Sequence, residues 1–102
     1  MSGPRDVSLI QQAKAVTTND TLNFNAMFGG TAGAYGGTPS NAVWVGATGN
    51  INVRLDNGKL DGAEDIIFHG LIAGTWHTMP PFVHVYAGST TATNIRVGVT
   101  AR

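Results

Sequence analysis

Cysteine is absent from this 102-residue chain, so neither a disulfide nor a thiolate-held metal can staple it and packing must supply its stability. Charge is scarce as well. Lys, Arg, Asp and Glu make up 12% of the residues and cancel to a net charge of zero, about half the fraction usual in globular domains. A chain so balanced lacks the basic footprint that nucleic acid or an anionic membrane would call for. No apolar run approaches the roughly 20 residues of a membrane span, and the N-terminal stretch has no h-region of a secretory signal. The expectation is synthesis in the cytosol, the chain's own or a host's.

What is present is a polar surface built from Thr, Asn and Ser, together with 14 glycines. Such a surface holds water without long charged side chains and suits close packing between proteins, because charge is depleted at interface cores and near-neutral domains self-associate. The length allows one domain with a single core.

Along the chain, residues 1–20 read as an N-terminal arm with one helical turn near Leu9 to Lys14, and residues 21–102 as the folded domain. Thr21 to Phe24 alternates and predicts a first short strand. Residues 29–40 hold Gly29, Gly30, Gly33, Gly36, Gly37 and Pro39, which predicts a loop. A phosphate cradle would need a following Lys and a helix, and neither is there.

From Asn41 onward short alternating strands are punctuated by glycine. Val43 to Val45 begins the series, and Asn50 to Leu55 sets Ile51, Val53 and Leu55 against Asn52 and Arg54. Asn57-Gly58 is a type I′ hairpin signal. Ile66 to Phe68, Thr75 to Met79, Phe82 to Tyr86 and Asn94 to Thr100 follow, with Pro80-Pro81 expected to stop the second of these. The fold class is therefore all-β: a small antiparallel β-sandwich or barrel, jelly-roll-like, of about seven short strands, joined by hairpins and a Greek-key crossing.

Chemistry is thinly signalled. His69, His77 and His84 fall on or beside strands, but spacings of eight and seven bring no two together locally, so ordinary strand positions explain them better than a metal site. Asp56, Asp61, Glu64 and Asp65 bracket the Asn-Gly turn without the spacing of an EF-hand. No serine is framed as GxSxG. Ser89, Thr90, Thr91 and Thr93 read as hydroxyls that satisfy turn and strand-edge backbone groups. Neither an enzyme nor a cofactor is expected.

Contact residues are a different matter. Tyr35, Trp44, Trp76, Phe82 and Tyr86 are large enough to anchor an interface. His84 shares the aromatic side of its strand with Phe82 and Tyr86. Arg5, Val7, Leu9 and Ile10 give the arm enough apolar character to order against a partner.

Trp44 to Gly46 (WVG), Gly49 to Leu55 (GNINVRL), Ala73 to Thr75 (AGT) and above all Val85 to Ile95 (VYAGSTTATNI) resemble the head spike base proteins of tailed phages and gene transfer agents. The likeness spans about sixty residues and departs from the family's pattern at WHTMPP and in the Gly-rich N-terminal part. It implies a virion structural protein on the capsid surface, made in the cytoplasm of a bacterial host. Its partners would be further copies of itself, as a pentamer or trimer, the major capsid protein, and a head fibre or spike protein. Neither nucleic acid nor membrane is among them. Two rivals remain: a tail or baseplate adhesion module binding glycan through Phe82, His84 and Tyr86, and a stand-alone β-sandwich enzyme or carbohydrate-binding module.

Overall fold

The computed structural model describes residues 10–29, 36–56 and 65–100, and within them the chain is all-β with no helix. The strands are β1 (Ile10–Ala15), β2 (Met27–Phe28), β3 (Thr38–Trp44), β4 (Gly49–Leu55), β5 (Asp65–Leu71), β6 (Trp76–Tyr86) and β7 (Arg96–Thr100). They form one antiparallel sheet in the order β1-β7-β3-β6-β4-β5, with β2 added to β3. The architecture agrees with a small sandwich or barrel-like fold.

β6 explains how a single sheet encloses a core. Its first residues, Trp76, His77 and Thr78, pair with Trp44, Val43 and Ala42 of β3, whereas His84, Val85 and Tyr86 pair with Arg54, Val53 and Asn52 of β4. Pro80 and Pro81 sit between the two sets, where the register against β3 slips. Neither proline can donate to a ladder, so the slip falls where no amide is needed, and Phe82 just beyond it pairs with both Ser40 of β3 and Leu55 of β4. The expected stop is instead a bend inside one 11-residue strand. Val43, Val45 and Val97 from one half then meet Ile51, Val53 and Val85 from the other, with Met79 and Phe82 near the bend. Each such side chain contributes about 1.5–3 kcal/mol by leaving water.

Several boundaries differ from the sequence reading. Residues 10–15 form an edge strand rather than a helical turn of an arm, because Gln12 to Ala15 find β7 partners from Val99 to Arg96. Thr21 to Phe24 is not a strand, and Phe24 takes a positive φ of 55°. β3 begins at Thr38, inside the expected loop 29–40, because Met27 and Phe28 pair with Pro39 and Thr38. The strand count of seven agrees, but its membership does not. Residues 1–9 and the Asn57-Gly58 turn lie outside the described residues, although β4 and β5 on either side of that turn do pair.

β4 is buried on both faces, although its alternation is that of a strand with one face toward solvent. Asn52 and Arg54 are closed off as fully as Ile51 and Val53, with Arg54 at 2% exposure. Asn52 is held there by Thr90, Gly88 and Asp65.

Candidate functional site

The segment 17–26 lies along β6 without forming a strand, and side chains stand in for the missing ladder. Asn25 accepts from the Val85 amide through Oδ1 at 2.8 Å and donates through Nδ2 to the Val85 carbonyl at 3.2 Å. The Ala26 amide donates to the Val83 carbonyl, and the Ala87 amide to that of Asn19. Asp20 Oδ1 accepts from the Gly88 amide at 2.7 Å.

His84 is the post beneath this segment. Its ring is wholly buried, with Nε2 donating to the Asn19 carbonyl at 3.1 Å and Nδ1 facing the amides of Asn23 and Asn25 at 3.4 and 3.5 Å. Two amide donors at Nδ1 fix the neutral tautomer protonated at Nε2. Burial is the main cause that pushes the ring below its ordinary pKa; the Asn19 bond opposes this, the Arg54 charge adds to it and Asp20 opposes it. Tyr86 packs edge-on at 4.7 Å between ring centroids.

Burial also decides which nominated contact residues are available. Phe82 belongs to the core and His84 to the covered polar layer, so neither can meet a partner from the folded chain. The aromatic side proposed for glycan is thus spent on internal packing, with Tyr86 half-buried at its margin. Arg5, Val7, Leu9 and Tyr35 lie outside the described residues.

Trp44, Trp76 and Ile10 are different. Trp44 pairs with Trp76 on one side and Arg96 on the other, and the Arg96 guanidinium stands 5.1 Å from the Trp44 ring. Gly98 lets the next row close up. A Cβ there would stand 3.1 Å from Ile10 Cγ2 and 3.2 Å from Trp76 Cζ3. All three nominated residues are half-buried, Ile10 on β1, Trp44 on β3 and Trp76 at the start of β6, on the outer face, opposite to Val43 and Val97. Beside Arg96, a cleft of about 400 Å³ is lined by Thr17, Thr18, Thr93 and Asn94.

The open surface is at the sheet edges. β1 and β5 end the strand order, and they differ in kind. β1 turns Lys14 inward, where its ammonium bonds the Met27 carbonyl and lies 5.0 Å from the Phe28 ring, and burial lowers its pKa. β1 also carries a register slip between Ile10 and Gln12. An inward charge and an irregularity are standard guards against edge pairing. β5 also has a register slip, between Phe68 and Leu71, but it has no lysine or proline, and ahead of the slip it exposes Ile66 at 44% and Ile67 at 37%, with Ile72 beyond the strand at 61%. The sequence reading took Ile66 to Phe68 for a strand but did not nominate it as a contact. Its signal was the Ile-Ile-Phe run without the alternation of a one-sided strand.

The titratable candidates stay apart. His69 is on the exposed β5 edge, His77 Nε2 sits 3.1 Å from the Ile72 amide, and His84 is buried. Asp65 accepts from Asn52 Nδ2 at 2.9 Å, while Asp61 and Glu64 fall outside the described residues. Among the described residues no three His, Asp or Glu converge as metal ligands. No protein family, curated protein or solved structure matches the chain.

Proposed function

We propose that the chain is a homo-oligomeric structural subunit of a virus particle, a capsid decoration or head spike base protein that docks on the major capsid protein. The observation that carries the self-assembly is the exposed apolar edge of β5 at Ile66 and Ile67, with no lysine on that strand, on a chain with so little charge. An exposed edge of this composition is either covered by another chain or prone to aggregate. The half-buried Trp44 and Trp76 on the outer face supply a second surface of the residue types that dominate binding energies. Support for the virion role is the resemblance of Val85 to Ile95 to head spike base proteins.

The mechanism is multivalent docking. Copies in a ring, pentameric or trimeric, each hold the capsid weakly, and linkage raises the effective concentration of the remaining contacts. A head fibre or spike protein can mount on such a ring. The glycan-adhesion reading is not carried forward, because two of its three residues are inside the fold.

Sedimentation equilibrium of the purified chain and electron microscopy of particles with and without it test the proposal. The expected results are a homo-oligomer at micromolar concentration and added density on the head. A chain that stays monomeric and is absent from heads would overturn it.

A further inference from the structure

The two edges of the sheet are not equivalent, and β5 is self-complementary. In an antiparallel pairing of β5 with a second β5 centred on Ile67, Ile67 meets its own counterpart and Ile66 meets Phe68. Asp65 then meets His69, a carboxylate opposite an imidazole. No neighbouring register does as well. Centring on Phe68 sets Asp65 against Leu71 and Ile67 against His69, and centring on Ile66 sets Asp65 against Ile67.

The faces agree with this register. Ile66 and Phe68 pair with Val53 and Ile51 of β4, on the core side of the sheet, whereas Asp65 and Ile67 pair with Arg54 and Asn52 on the other. Matching Ile66 with a second copy's Phe68 therefore joins the core faces of two subunits and covers the more exposed of the two isoleucines. Asp65 keeps its bond from Asn52 through Oδ2 in this arrangement.

We infer that β5 binds β5 of a second copy of this chain about a twofold axis through Ile67. The inference rests on the self-assembly reading above and says how the β5 edge that supports it is covered, which leaves the ring to the outer face with Trp44 and Trp76. A twofold contact is isologous and closes on itself, so it joins one ring to a neighbouring ring, or forms a free dimer, rather than building the ring itself.

A cysteine-free chain makes the test direct. Directly opposed residues of an antiparallel pair have Cα atoms about 4.5–5.5 Å apart, within disulfide reach. Under mild oxidation the Ile67→Cys variant should give a covalent dimer at least tenfold faster than the His69→Cys variant, whose counterpart lies four ladder positions away. An equimolar mixture of Ile66→Cys and Phe68→Cys should cross-link faster than either alone. Ile67→Lys, at an exposed position, should weaken self-association at least tenfold by sedimentation while leaving the circular dichroism spectrum unchanged. Equal cross-linking of Ile67→Cys and His69→Cys in a chain that still oligomerises overturns this contact alone. A monomer in every experiment overturns both this contact and self-assembly.

Discussion

Asn25 holds both backbone groups of Val85, accepting from its amide at 2.8 Å and donating to its carbonyl at 3.2 Å. One side-chain amide thus does the work of a neighbouring strand at a position wholly closed to solvent. Removing it leaves a buried donor and acceptor without that partner, at a cost of about 1–3 kcal/mol. Asn25→Ala should lower the urea midpoint by the corresponding amount. Asn25→Asp keeps the acceptor but turns a carboxylate oxygen toward the Val85 and Thr17 carbonyls, so it too should fall below the wild type. Unchanged midpoints would show that the pair contributes nothing.

Stability should depend on His84 through pH. Its folded pKa lies below the ordinary 6.5, so the unfolded ring takes up a proton at a pH where the folded ring still refuses it. The contribution is complete above about pH 7, and it is lost as pH falls through the unfolded value toward the folded one. A proton on Nδ1 would also face the two amides of Asn23 and Asn25. The melting temperature should drop between about pH 7 and 5 in the wild type and less in His84→Gln. The imidazole proton shifts in NMR read the depressed pKa directly, and a ring titrating at or above 6.5 would contradict the account.

Thr90 explains part of the Val85 to Ile95 motif. Its hydroxyl accepts from the Asn52 amide at 2.9 Å and donates to the Tyr86 carbonyl at 2.7 Å, while Thr91 Oγ1 accepts from the Asn50 amide at 2.9 Å. These hydroxyls serve β4 as a partner strand would, in keeping with the sequence reading of this run. Thr90→Val preserves shape but leaves the Asn52 amide without that acceptor, and chemical denaturation should show a loss of about 1–3 kcal/mol. Thr90→Ser should recover most of it. If valine and serine behave alike, the hydroxyl is not what matters.

Gly98 is where β1, β7 and Trp76 come closest. An added Cβ would stand 2.9 Å from the Gln12 carbonyl oxygen, which belongs to the backbone and cannot swing away. Gly98→Ala should therefore cost about 1–3 kcal/mol, the usual penalty of overpacking. It should also change the tryptophan emission, because Trp76 must shift. Unaltered emission and melting temperature would place the indole elsewhere.

The all-β class was legible because alternation and glycine spacing are local. Ile51 and Val53 were set on one face by their neighbours alone, and both are in the core. β1 was not, since residues 10–15 (IQQAKA) become a strand only through a partner more than 80 residues away. Nor was the fate of Phe82 and His84 legible. An aromatic side of a strand looks the same in sequence whether another protein or the chain's own residues 17–26 will cover it. Trp44 and Trp76 were nominated as contacts for their size and Ile10 for its place in an apolar arm, and the stacking of Arg96 on Trp44 was not foreseen because nothing in the sequence places β7 beside β3.

The pairing of Ile10 with Thr100 sets an order of events during synthesis. Among the described strands β1 is made before all the others and its sheet partner β7 after them, so β1 waits for the 80 residues between Ala15 and Arg96 to be translated. During that wait its ladder groups are exposed, and the inward lysine and the register slip that guard the finished edge are already encoded in the emerging segment. Folding of the outer half is thereby tied to synthesis of β7, and a product truncated before β7 would leave β1 and β3 without the strand that lies between them.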